Sequence, residues 1–237
     1  MRTVLLSASG LSVSTILTSG RKKEIFLVLL AVSCLLLSGC SERYSHKYHG
    51  LNLDLKSEGS ATIAVATHDQ RPYIVSGDAK PDLAGIVRGQ MYQPFDVTTA
   101  SRNPFAEDIT DTITRSLGSR GFTAIGVVVK HSDNDEMVRA SLGRENASRS
   151  IVTTLYEWKS DIYMHRGTSL WRDIRMQVLD AAGNTIGEKR ISEESSLSPR
   201  SMNAWEHSKK TVPTALVKTL ETLLNSEEIS SALVGTD

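Results

Sequence analysis

A chain of 237 residues with 27 Lys or Arg against 27 Asp or Glu has no net formal charge, and 40% of its residues are hydrophobic. That balance supplies no basic footprint for nucleic acid, and the length suits one domain with a substantial core. The only two cysteines, Cys34 and Cys40, fall within the first forty residues, so nothing downstream can be held by a disulfide or a thiolate metal cluster.

Residues 1–20 are weakly apolar, rich in Ser and Gly, and show neither helix caps nor a period. They precede a leader that is already complete and read as an upstream start-codon overcall, the alternative being a long n-region. The leader itself, Arg21 to Cys40, is RKKEIFLVLLAVSCLLLSGC. Charge, then hydrocarbon, then small residues is the order of a secretory signal peptide, here 1–39. Its apolar run, Ile25 to Leu37, is shorter than the roughly 20 residues of a transmembrane helix. It also lacks the polar face of an amphipathic core helix.

The ending Leu37-Ser38-Gly39-Cys40 resembles a bacterial lipobox. That resemblance implies cleavage after Gly39 and acylation of Cys40, so the first expected partner is a membrane. Several acyl chains anchor stably where one does not. Ser41 stands where an inner-membrane lipoprotein usually has Asp, which by resemblance to Gram-negative sorting implies the outer membrane, facing the periplasm. Without the first 39 of the 237 residues, 198 remain. Four basic residues (Arg2, Arg21, Lys22, Lys23) and Glu24 leave with the leader, so 23 of 27 bases and 26 of 27 acids remain, a net charge of −3.

Residues 40–60 read as the lipidated cysteine and a polar, flexible tether, with Leu51 to Leu55 alternating as a short edge strand would. His46 and His49 have a metal-compatible spacing, but a tether offers no fixed third ligand, so solvated histidines are expected, with no metal and no cofactor. The domain is expected over 61–237. It opens with a strand, Ala61 to Ala66, that Pro72 terminates by forcing Arg71 into an extended conformation. A strand from Leu83 to Tyr92 follows, interrupted by Gly85 and Gly89.

Asn103 as cap, Pro104, Glu107 and Asp108, with Phe105, Ile109, Ile113 and Leu117 every four residues, predict a helix over 104–118. Phe122 to Val129 predicts a buried strand. Asp133 with Glu136 resembles a capping box before a helix over 135–148. Strands are expected over 150–161, 169–180 and 185–194, with a turn at Ala182-Gly183-Asn184. Within the middle strand, Leu170, Ile174, Met176 and Val178 face one way and Trp171, Asp173, Arg175 and Gln177 the other. A closing helix over 212–225 takes Pro213 in its first turn, and Ser226 caps a last short turn.

No nucleophile elbow, zinc-protease motif, phosphate loop or dinucleotide fingerprint occurs, so no catalytic residue is assigned and an enzyme is not expected. Asp69 and Arg71 are the sole candidates for catalysis, against a structural turn. Tyr156, Trp158, Trp171 and Arg175 are candidates for a partner-binding strand face, since aromatic and Arg side chains are enriched at hot spots. The other reading is core or cross-strand packing.

Several short motifs occur in order after the lipobox: D-x-R-P (Asp69 to Pro72), R-G-F (Arg120 to Phe122) and Y-E-W-K-S-D (Tyr156 to Asp161). V-L-D-A-A-G-N (Val178 to Asn184) and L-L-N-S-E-E-I (Leu223 to Ile229) complete the series. Together they resemble the YajG-type family of small bacterial lipoproteins over most of residues 61–233. The resemblance implies an α/β domain similar to the TolB N-terminal domain, curli-secretion lipoproteins and outer-membrane activators of penicillin-binding proteins. It transfers no catalytic residue, and the segment Tyr73 to Gln93 is longer than it implies.

The expected fold is α+β, a single domain with a mixed, mostly antiparallel sheet and about three helices on one face. The expected function is a non-catalytic module that docks a periplasmic protein or assembles as a homo-oligomer. A carrier of a small lipid or glycan, or an envelope hydrolase, are the other readings.

Overall fold

The computed structural model describes residues 44–89, 91–163, 166–198 and 203–235. Leu37, Ser38, Gly39, Cys40 and Ser41, expected to direct cleavage, lipidation and sorting, lie outside the described residues. Among those described, eight strands and five helices alternate. They are β1 (Tyr44–His46), β2 (Thr62–Asp69), α1 (Pro72–Val75), β3 (Leu83–Arg88), β4 (Pro94–Thr99), α2 (Phe105–Gly118) and β5 (Thr123–Gly126). α3 (Asp135–Gly143), β6 (Arg149–Tyr163), β7 (Gly167–Asp180), β8 (Thr185–Ser198), α4 (Ala204–Leu224) and α5 (Glu227–Val234) follow.

All eight strands make one sheet, whose axis is the 15-residue β6. β7 lies antiparallel along one edge of β6, and β8 lies beyond β7. The other edge is shared. β2 runs parallel to β6 from Arg149 to Leu155, and β3 runs parallel to it from Ser160 to Tyr163. β5 extends the β2 side, while β4 and then β1 extend the β3 side. The single α+β domain with a mixed sheet is therefore as expected, its antiparallel part being the long β6–β7–β8 meander and the β3–β4 hairpin.

Side chains on one face of the sheet, including Ile63, Val65, Ile151, Leu155, Ile174, Met176 and Val178, pack with the buried stripes of α2, α4 and α5. On the other face Ala64, Ala66, Val152 and Leu179 meet Val138 and Leu142 of α3. This corrects the expectation that the main helices share a face. The path through α2 runs outward from β2 to β5, and the path through α3 returns from β5 to β6. Two crossovers of the same right-handed sense in opposite directions land on opposite faces.

Phe105, Ile109, Ile113 and Leu117 are buried as their spacing predicts. Asn103, however, does not cap α2, whose N-cap is Pro104 without a side-chain bond. In α3 it is Asn134, not Asp133, whose side chain accepts from the Met137 amide. α4 starts at Ala204, well before the expected Val212, so Pro213 sits inside the helix. β4 was not foreseen at all; it begins just after the segment Tyr73 to Gln93, whose length departed from the family resemblance, and pairs with β3 inside that segment.

The larger correction concerns the tether. Residues from Tyr44 onward belong to the domain: β1 pairs with β4, His46 and Tyr48 are fully buried, and Leu53 and Leu55 enter the core. After β1 the segment borrows partners from helix side chains. The Leu53 amide donates to Ser116 Oγ (3.1 Å), the Asp54 amide to Glu221 Oε1 (2.8 Å) and the Lys56 amide to Asn225 Oδ1 (2.8 Å). Those bonds satisfy an irregular backbone that no ladder reaches.

Candidate functional site

Where β6 passes from β2 to β3, its shared edge has a gap, and Arg71 fills it. The side chain is fully buried. Its Nε and Nη2 donate to the two carboxylate oxygens of Asp69 (2.8 and 2.6 Å), and Nη1 donates to the carbonyls of Leu83 (2.5 Å) and Trp158 (3.5 Å). Tyr73 Oη donates to the same Trp158 carbonyl (3.2 Å) and to Glu157 (2.6 Å). Burial opposes the Arg71 charge, but the hydrogen bonds and charge of Asp69 outweigh it and hold the guanidinium pKa above its ordinary value. Both carboxylate oxygens of Asp69 are thereby engaged. The pair clamps the turn, and Asp69 also borders the cavity described below.

The strand face expected from Tyr156, Trp158, Trp171 and Arg175 is divided by a bulge. The β6–β7 register shifts between Leu155 and Glu157. The extra residue brings Trp158, three positions after Leu155, onto the face that Leu155 occupies, and a strict alternation would have sent it to the other. Trp158 is fully buried in the core, with Phe105 at 5.7 Å between ring centroids and its Nε1 donating to Tyr48 Oη (3.3 Å). It cannot present a docking surface.

Tyr156 and Trp171 are partly exposed. Arg175 and Arg190 lie 5.5 and 4.7 Å from the Tyr156 ring centroid. Arg190 also makes a two-pronged pair with Asp173 (2.7 Å each), whose pKa that bond holds below the carboxylate norm. On this face Tyr156, Arg175, Arg190 and Asp173 hold one another across the strands, and Trp171 stays partly exposed.

A concave site lies at the carboxyl ends of β2 and β5, with Asp69 among its lining residues. Between the first turns of α2 and residues 126–132 there is a cavity of about 670 Å³. Its size and its place beyond parallel strand ends are those of small-molecule sites. Pro104, Ala106 and Val127 to Val129 give it apolar walls. Thr67 Oγ1, Thr114 Oγ1 and His49 Nδ1 reach it buried and without a hydrogen-bond partner among the described residues. Asp108 also lines it, accepts from Ser101 Oγ (2.8 Å), and has its pKa raised by burial.

No sequence motif joins Thr67 of β2, His49 after β1, and Asp108 and Thr114 of α2. His46 does not share the cavity; it stacks on Trp205 at 5.2 Å between centroids. Burial and then the Lys209 charge push its pKa down to about 3. It is thus a buried neutral histidine and not the solvated one expected. Among the described residues no group of three His, Cys, Asp or Glu is placed to hold a metal, and no helix is long and apolar enough to cross a membrane.

No family model matches the chain, and no curated protein matches it. Among solved structures it is similar to a protein from Xanthomonas campestris assigned to the family DUF330, at 11% identity and a TM-score of 0.49, over 80% of this chain and 96% of that one. It is also similar to a protein described as uncharacterised, at 11% identity and a TM-score of 0.42, over 75% of this chain and 94% of that one. Likeness at this distance concerns the outline of the fold and brings no site residue with it.

Proposed function

We propose that this protein is a lipoprotein of the bacterial envelope, held in the outer membrane by acyl chains on Cys40 and facing the periplasm, whose domain works by binding. The anchor is carried by the order of charge, hydrocarbon and Leu37-Ser38-Gly39-Cys40 in the leader. The ordered series of short motifs, which resembles the YajG-type lipoproteins, supports the same reading. Cys40→Ala should abolish incorporation of labelled palmitate in cells, and Ser41→Asp should move the protein to the inner-membrane fraction. Label retained by Cys40→Ala would sink the anchor.

The binding function is carried by the cavity, because partly apolar walls with unpartnered buried oxygens and a buried carboxyl need an occupant with matching groups. Its chemistry suits a small molecule with an apolar body and a hydroxyl-rich or cationic head, in keeping with a carrier. Docking of a protein through the strand face is the weaker reading, since Trp158 is in the core. Val128 stands at the mouth and is 70% exposed, so Val128→Trp should close the cavity without touching the core. An environment-sensitive apolar dye such as N-phenylnaphthylamine should bind the wild type and lose at least about tenfold in affinity, about 1.4 kcal/mol, in the variant. Equal affinity in both proteins would mean that the cavity is not the site.

A further inference from the structure

One end of the molecule has a composition that neither the core nor the cavity explains. β3 ends against the end of β6, with Arg88 opposite Tyr163, and β4 begins opposite Arg88. The β3–β4 turn therefore projects from the same end as the β6–β7 turn. Met91 and Tyr92 in the first turn are 85% and 54% exposed, and Phe95 at the start of β4 is 44% exposed. Arg166 lies 5.3 Å from the Tyr92 ring centroid, and Arg88, paired with Asp161 (2.8 Å), lies 5.2 Å from that of Tyr163. Tyr92 holds a φ of 59°, a conformation unusual for a bulky side chain. Asp96 is the exposed acid of β4, one residue beyond Phe95.

The chain comes into the described fold at this same end. β1 is parallel to β4, with Tyr44 opposite Val97, and the Tyr44 and Phe95 ring centroids are 6.0 Å apart. Only Ser41, Glu42 and Arg43 separate Cys40 from Tyr44, a reach of roughly 14 Å at full extension. A domain tethered that tightly cannot turn its far end to the membrane, because β6 alone is roughly 45 Å long.

We propose that this end is a membrane-contact surface, with Met91, Tyr92 and Phe95 dipping into the boundary between headgroups and acyl chains and Arg166 among the phosphates. Aromatic, Met and Arg side chains in that arrangement are what a lipid interface selects: amphipathic rings at headgroup depth, apolar atoms below them and cations at the anionic surface. The surface fixes the orientation of the domain, with the β7–β8 turn pointing away from the bilayer.

The inference rests on acylation of Cys40, and its test separates the two. The full-length protein, processed in cells, is reconstituted in vesicles of phosphatidylethanolamine and phosphatidylglycerol carrying a nitroxide-labelled lipid. A nitrobenzoxadiazole dye is attached through Met91→Cys or, as the distal control, through Ile186→Cys beside the β7–β8 turn. Quenching at 91 should exceed that at 186 by at least about threefold, as expected for a group at headgroup depth.

Vesicle-bound protein with equal, weak quenching at both positions overturns the contact surface and leaves the anchor standing. A dye at 91 that is shielded equally in detergent and in vesicles, without quenching, means that a second copy covers the tip, which also overturns it. Quenching at 91 in a protein that carries no acyl group would overturn the anchor and keep the surface.

Discussion

Arg71 shows what one side chain does when a sheet changes partners. β6 loses its neighbour between Leu155 and Ser160, and the guanidinium supplies donors to the carbonyls left there, with Asp69 neutralising its charge. Removing the cation strands a buried carboxylate, so Arg71→Ala should cost about 3–5 kcal/mol in denaturant unfolding. Arg71→Lys should recover only part of this, since an ammonium cannot reproduce the planar fork. A loss below about 1 kcal/mol would mean that the clamp contributes little.

His46 makes a second prediction at the same scale. Its folded pKa is lowered from 6.5 to about 3, so between those values the unfolded chain holds a proton that the folded chain does not. Stability is therefore full above pH 6.5 and falls as the pH drops, by up to about 1.4 kcal/mol per unit. His68, also lowered by burial, adds to the same slope. His46→Phe keeps the stack on Trp205 and should flatten the dependence between pH 6.5 and 4.5, read from urea midpoints. An unchanged slope would place the titration elsewhere.

At the scale of elements, α2 is the part most readily read from sequence, because a stripe at four-residue spacing allows only one face to be buried. Ile109→Ala in that stripe should cost about 2–5 kcal/mol on chemical denaturation, and a change under about 1 kcal/mol would contradict its full burial. Other elements leave no such mark. A bulge adds a residue without changing composition, so nothing in Y-E-W-K-S-D tells Trp158 to join Leu155. The segment 44–60 has polar residues between its aromatic and leucine side chains and reads as linker. Its order comes from Ser116, Glu221 and Asn225, at least sixty residues away in the chain. Pro213 misled for a related reason: proline is welcome in a first turn, and here α4 is long enough to hold it inside.

At the scale of the molecule, the fold class was legible from the mixture of strand and helix periods, while the topology was not. Which face a helix takes depends on the direction of each crossover, and no residue encodes that direction alone. The cavity was illegible for the same reason, since it exists only where β2, α2 and the segment after β5 converge.

The divided edge of β6 also dictates an order of events in time. Residues 62–69 and 83–88 cannot be joined into one sheet until residues 149–163 exist, because both pair with that one strand. A chain released amino end first, from a ribosome or through a membrane pore, would thus carry more than half its length without a finished sheet. Contacts this distant in sequence close slowly, so the nascent chain stays pliable during passage and completes its sheet only once β6 is out.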